Sequence, residues 1–424
     1  MRFALVIAVV LLGLTSCTFQ TNFSARTAAK HYEQGNYASA IQYYMKCVAE
    51  GDQSAETFYW LGMSFYKHGD LEEAMFALER SVEKDSADVV VMERLAAVNL
   101  DLGNIQQAGS YGKKAIRLDS EYVEAYNTLG HVFFEEGRLE SAEYYFTYSI
   151  SLSKSMRRKS IALSSPMSYV ESQAEAFNGL GEICIARGSL YRALDYFGTA
   201  NSFAHDWETP WFNKGRTYEA LGNIKAAEIA YQRSIDLAPG NTWAYKNLAR
   251  MYRRSGRESE AMTLYRRAMR VDSTDAECYY GLAELYQEKG DNKNAADMYN
   301  RAVDRAPDDP KAYSRAGRAN MLIGNCELAI EFLSGAVQLQ PQRAGAHNAL
   351  GEAWLAAGDS VEAQESFENA IALDSLYTLP LRNLGAILLR QGKGSEGLQY
   401  YIRAARLGDG YAEEFLRSRG VRWE

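Results

Sequence analysis

The sequence predicts an all-α solenoid of helix hairpins. Three observations carry that reading: a 34-residue period, small residues at two fixed places in each period, and a glycine near its middle. The period is clearest from Glu208 to Asp275, where two units follow one another without a gap. Their fourth position is aromatic (Trp211, Tyr245) and the eighth small (Gly215, Ala249). The eleventh is Tyr (Tyr218, Tyr252), the fifteenth Gly (Gly222, Gly256) and the twentieth Ala (Ala227, Ala261). The twenty-fourth is Tyr (Tyr231, Tyr265), the twenty-seventh small (Ser234, Ala268), and Pro239 or Ser273 stands at the thirty-second.

Each position has a physical reason. Apolar residues at 4, 7 and 11 share one helical face. Small residues at 8 and 20 let two helices approach, where a bulkier side chain costs about 1–3 kcal/mol of overpacking. Gly at 15 closes the first helix in a left-handed turn, and Pro or Ser stops the second. One such hairpin cannot bury its apolar face alone and needs copies on either side.

The spacing and these residues resemble the tetratricopeptide repeat (TPR) family. The resemblance implies a right-handed superhelical solenoid, here of about eleven hairpins with a short C-terminal capping helix. It also implies a non-enzymatic adaptor that binds protein or peptide partners in a concave groove lined by the first helix of each hairpin.

From the start of the chain, Met1 to Cys17 reads as a signal segment: Arg2, then an apolar run from Phe3 to Leu12. That run is shorter than the roughly 20 residues a bilayer span needs. Leu14-Thr15-Ser16-Cys17 resembles the bacterial lipobox, which implies cleavage before Cys17 and lipid on it; an ordinary signal peptide with an incidental Cys is the alternative. The expected placement is the bacterial cell envelope, lipid-anchored at the outer membrane and facing the periplasm, because Thr18 follows the Cys rather than an Asp retention signal. The expected divisions are 1–16 signal peptide, 17–23 lipidated terminus and linker, 24–156 four repeats, 157–173 an insertion and candidate hinge, 174–411 seven repeats, and 412–424 capping helix and tail.

Within the first array, Gly109 and Gly112 predict a weak second helix in the third unit, each costing about 1 kcal/mol relative to Ala. The seventeen residues Arg157 to Gln173 then break the frame, and Ser165-Pro166 reads as an N-cap with Pro at the first helical position, so the fifth unit's first helix starts early. Units five to eleven start at Ala174, Glu208, Thr242, Ala276, Pro310, Ala344 and Thr378. Tyr411 to Arg419 reads as the capping helix, with Val421 and Trp423 tucked against it.

The composition is that of a globular chain: 424 residues, 47% hydrophobic, with a formal charge of −8 that argues against nucleic acid as the main partner. Cys47, Cys184, Cys278 and Cys326 lie in different repeats without metal spacing and read as small core residues. Five scattered histidines, with no HExxH, GxSxG or phosphate-binding glycine loop, leave no catalytic constellation, cofactor or metal site. Carrying over the family's groove positions makes the first half acidic, through Glu56, Glu93, Asp101, Glu124, Glu135, Glu175 and Glu182 against Lys67. The second half is mixed to basic. The candidate peptide groove is Phe212, Asn213, Arg216, Trp243, Lys246, Arg250, Arg253, Arg254, Tyr280 and Arg318. Arginine forks there match a carboxylate or phosphate, and the aromatics are what binding hot spots favour; pairing of the cations with Glu284 and Glu288 is the bland alternative. The carboxylate clamp known in some TPR proteins is matched at Asn213 and at Lys246 with Arg250, and fails at Asn178 and Glu182. The rivals to an adaptor are a dedicated structural subunit or pilot of a secretion, pilus or gliding apparatus, and a peptidoglycan or polysaccharide-binding module.

Overall fold

The computed structural model describes residues 18–160 and 166–423. Among them every regular element is a helix. The first helices of the hairpins are α1 (Thr18–Glu33), α3 (Ala55–His68), α5 (Val89–Asp101), α7 (Val123–Glu135), α9 (Pro166–Ala186), α11 (Thr209–Ala220), α13 (Thr242–Arg254), α15 (Ala276–Glu288), α17 (Pro310–Leu322), α19 (Ala344–Ala357) and α21 (Thr378–Arg390). Their partners are α2 (Tyr37–Ala49), α4 (Leu71–Lys84), α6 (Ile105–Leu118), α8 (Leu139–Ser160), α10 (Leu190–Phe203), α12 (Ile224–Leu237), α14 (Glu258–Val271), α16 (Asn292–Arg305), α18 (Cys326–Leu339), α20 (Ser360–Leu373) and α22 (Gly394–Arg406). A short α23 (Gly410–Ser418) follows. The chain divides into two units, Met1–Arg233 and Ser234–Glu424, with the division inside α12.

One contact rule repeats inside the hairpins. A glycine at the eighth position of the period leaves room for the side chain at the twenty-fourth. A Cβ on Gly130 would stand 2.6 Å from the Phe146 ring, and one on Gly181, Gly215 or Gly351 would stand 2.4, 2.5 or 2.7 Å from Phe197, Tyr231 or Phe367. These four rings are fully buried, as are the alanines at position 20: Ala142, Ala193, Ala227 and Ala363. The small residue is thus what lets a ring lie between two helix backbones at native packing density. The turn is equally regular: Gly222 and Gly256 both sit at φ +73°, in the left-handed region.

The last position of the period has its own task. Asp88, Asn241, Asp275 and Asp309 end their periods, and a side-chain oxygen of each accepts from the next first helix, from two backbone N–H groups at Asp88 and from one at the others. Each thereby satisfies donors that a helix start leaves open.

One local expectation changes. The third hairpin's second helix, α6, is formed along its whole length in spite of Gly109 and Gly112. Both glycines face α7: a Cβ on Gly109 would be 3.3 Å from Val132, and one on Gly112 would be 3.0 Å from Leu129. Their helix-propensity cost is offset by the close approach they allow. The fifth unit's first helix starts early, as expected, while the N-cap expected at Ser165 lies outside the described residues. Residues 157–160 finish the 22-residue α8, and Pro166 opens the 21-residue α9. At the C-terminal end, Ala412 and Leu416 of α23 are fully buried and Phe415 stacks on Tyr401 at 4.0 Å between centroids. Val421 and Trp423 pack on the same cluster, and Arg406 Nε donates to the Trp423 carbonyl at 2.8 Å. Cys47, Cys184 and Cys278 are buried and Cys326 is half-buried.

Candidate functional site

In the first unit, the first helices of three consecutive hairpins, α5, α7 and α9, line a cleft of about 1190 Å³. Periodicity puts one face of each helix there. Glu93, Arg94, Ala97 and Asp101 come from α5, Glu124, Thr128, His131 and Glu135 from α7, and Glu171, Glu175, Asn178 and Glu182 from α9. Tyr66, Phe203 and Trp207 add aromatic rims. Six of the seven acidic groove residues expected from the sequence therefore converge; Glu56 is the one outside.

With Glu171 and Asp206, the cleft carries eight carboxylates against one guanidinium, Arg94, and one imidazole, His131. Much of this charge is held by short polar contacts. Glu93 Oε1 accepts from the Thr128 hydroxyl at 2.7 Å. Tyr66 donates to Asp101 at 2.9 Å. The buried Asn127 amide donates to Glu175 Oε2 at 3.0 Å and to the Ser172 carbonyl at 2.9 Å. Asn213 donates to Asn178 at 3.0 Å and to Glu182 at 3.1 Å. That engages Asn213, the expected peptide contact, with its own neighbours.

Glu93 is the anomaly. It is only 2% exposed, yet its Oε2 receives no hydrogen bond; Arg94 Nε stands 3.4 Å away as an ion pair. Burial pushes the Glu93 carboxyl above its ordinary range, with the Glu175 and Glu124 charges adding to it against the pull of Arg94 and Thr128. Arg94 is raised in turn, chiefly by Glu93. Across the cleft, His131 Nε2 lies 3.6 Å from Glu175 Oε1. Burial works to depress His131 and to raise Glu175, but their mutual interaction outweighs it, so His131 is raised and Glu175 lowered. Among the described residues no group of three His, Cys, Asp or Glu side chains is placed to hold a metal ion.

The residues expected to form the peptide groove do not line this cleft. In the first unit, Phe212 packs on Tyr231 and Arg216 is exposed over the Phe212 ring. In the second unit, Lys246 is only 5% exposed. Its Nζ is 2.7 Å from Asp275 and 2.8 Å from Glu277. Burial alone would lower the Lys246 ammonium, but these two hydrogen-bonded carboxylates raise it. Its Nζ also lies 4.2 Å from the Trp243 ring centroid, and Trp243 itself is 58% exposed.

The neighbouring cations are engaged too. Arg250 reaches Asn247 and stands 3.8 Å from Glu277. Arg253 forks between Glu284 and Glu288, with Nε–Oε1 of 2.9 Å to Glu288. Arg315 donates to Glu284 at 2.8 Å and lies over the Tyr280 ring, whose hydroxyl donates to Asp309. Arg254 and Arg318 are exposed. The pairing with Glu284 and Glu288 that the sequence left open is thus the arrangement of Arg253. Lys246 is paired as well, through the cap residue Asp275. Arg94 and Thr128 are among the cleft residues that the sequence does not point to, because they lie outside the groove positions carried over from the family. The available signal was a lone arginine in three successive first helices otherwise rich in Glu.

Comparison with known proteins agrees with this architecture. Residues 120–319 match the family model described as the cilia and flagella-associated protein 70 C-terminal domain, a TPR model, and residues 28–89 match a tetratricopeptide repeat model. Protein CTR9 homolog of Arabidopsis thaliana is 22% identical over 230 residues, 52% of this chain and 20% of that protein, so the match spans about a fifth of its length. Among solved structures, YrrB, described as a TPR protein with an unusual peptide-binding site, aligns at TM-score 0.41 and 21% identity, over 45% of this chain and all of its own. Yeast Tom70 aligns at TM-score 0.41 and 12% identity, over 93% of both chains. MamA aligns at TM-score 0.36 and 23% identity, over 40% of this chain and 92% of its own. On its repeating hairpins and these family matches, the chain belongs to the tetratricopeptide repeat family.

Proposed function

We propose that the chain is a protein-binding scaffold that grips extended segments of partner proteins along its first helices, performs no chemistry of its own, and works tethered to a bacterial membrane through lipid on Cys17. The observation that carries the binding reading is the cleft on α5, α7 and α9. It is open, rich in carboxylates and about 1190 Å³, and so suits a segment of chain better than an enclosed apolar ligand. The later hairpins add exposed groups of the kind interfaces use, Arg216 in the first unit and Trp243 and Arg318 in the second, while Lys246 and Arg253 hold neighbouring helices. Met1 to Cys17 lies outside the described residues. The anchor rests on the lipobox resemblance, and among the described residues no helix is long and apolar enough to cross a membrane.

Two measurements test this. A photo-crosslinking residue at the exposed, cleft-lining Glu135 is expected to capture a defined partner in cells. The same residue at Val361, 75% exposed on a second helix, is expected not to. Equal products from both positions would overturn the groove reading. Cys17→Ser is expected to move the chain out of the membrane fraction, and unchanged fractionation removes the anchor.

A further inference from the structure

Resting on the reading of the cleft as a peptide groove, we propose that its occupant is a basic segment of a partner protein, with an arginine or lysine side chain reaching Glu93. Two independent features point there. The first is the charge excess, which Arg94 and His131 together leave far from neutral even when the imidazole is protonated. Like charges gathered in a cleft with protein walls focus a field that draws in the opposite charge. The second is Glu93 itself. A buried carboxylate oxygen without a hydrogen-bond donor is costly, and Glu93, a lining residue of this cleft, holds its buried Oε2 in that state. The Arg94 guanidinium stands 3.4 Å away without hydrogen-bond geometry. A guanidinium or ammonium from a ligand supplies the missing donor and offsets the charge excess of the cleft together.

The rim suits such a side chain. Tyr66 and Trp207 are partly exposed at the cleft and offer faces for the methylene stem or the cation of Lys or Arg. The polarity is opposite to that of a carboxylate-gripping groove.

The experiment is a selection from a library of random nonapeptides on the immobilised full-length chain, followed by affinity measurements on the enriched sequences made synthetically. Enrichment of Arg and Lys is expected. Glu93→Gln is expected to weaken the selected peptide about tenfold or more, as loss of one charge-assisted hydrogen bond does. Because Glu93 is buried, a second variant accompanies it: Glu135→Gln with Glu171→Gln, both exposed, is expected to weaken binding at low salt and less so at high salt. Enriched peptides without a basic preference, or affinity unmoved by both variants, overturn this inference and leave the scaffold reading intact. If no peptide is enriched at all, the groove reading falls with it.

Discussion

Lys246 decides whether the basic helix α13 is a ligand site or a structural one. Truncating it to Ala removes an ammonium that is 6% exposed at the side chain, and strands two carboxylates at 2.7 and 2.8 Å. Asp275 is 14% exposed and its other oxygen already caps α15 through Glu277 N, so it cannot turn freely to water. Breaking a fully buried pair costs about 3–5 kcal/mol. The half-exposed Glu277 relieves part of that, which places the expected loss near the lower bound, about 3 kcal/mol. A solvated lysine would lose about 1 kcal/mol or less. Repeat arrays do not unfold in one step, so a single midpoint is a poor measure. Native-state hydrogen exchange of the α13 and α15 amides reads the local free energy directly. The exposed Arg318→Ala serves as the control, within about 0.5 kcal/mol of wild type. A Lys246→Ala change no larger than the control's would refute the buried hub and return Lys246 to the pool of ligand contacts.

Three further outcomes are expected. Gly179→Ala would set a Cβ 2.3 Å from the fully buried Phe146 ring; it should cost about 1–3 kcal/mol by overpacking, and Phe146→Leu in that background should recover part of the loss in native-state hydrogen exchange of the α8 and α9 amides. Gly256→Ala meets no atom within 4 Å, so only its φ of +73° opposes it; the expected cost is about 1–2 kcal/mol, and a loss above 3 would show that space matters there after all. The His131–Glu175 pair should stabilise only between the two titrations. His131 is raised when folded, so its contribution is full below about pH 6.5 and is lost as pH rises through its higher folded value. Glu175 is lowered when folded, so its contribution is present above about pH 4.5 and is lost as pH falls through its lower folded value. The gap in native-state hydrogen exchange of the α7 and α9 amides between wild type and His131→Gln should therefore be widest between roughly pH 4.5 and 6.5 and narrow as pH rises through the raised folded value of His131; a gap that does not vary with pH would exclude the pair.

The 34-residue frame made the fold legible because each feature is local. The starts at Thr242, Ala276, Pro310, Ala344 and Thr378 are the first residues of their helices, and the hairpin glycines from Gly188 to Gly392 all take positive φ. The acidic character of the first half was legible for the same reason, since it follows from position alone. What the frame does not encode is which charge meets which. Lys246 finds Asp275 because the residue ending one period caps the next helix, and that cap lies beside the preceding first helix. Arg94 escaped notice because it stands outside the groove positions carried over from the family. Gly109 and Gly112 misled because propensity weighs a helix by itself, while their value lies in what α7 brings against them.

Phe146 lies against Gly130 of its own hairpin and Gly179 of the next, on either side of the frame break at Arg157 to Gln173. A ring shared in this way is a rivet: neither hairpin can peel away without exposing it. If the chain is pulled from its ends in an optical trap, the fourth and fifth hairpins should yield together in a single rip. Phe146→Ala should split that rip into two smaller ones. The longest interruption in the repeat would then be one of its stiffest joints under load.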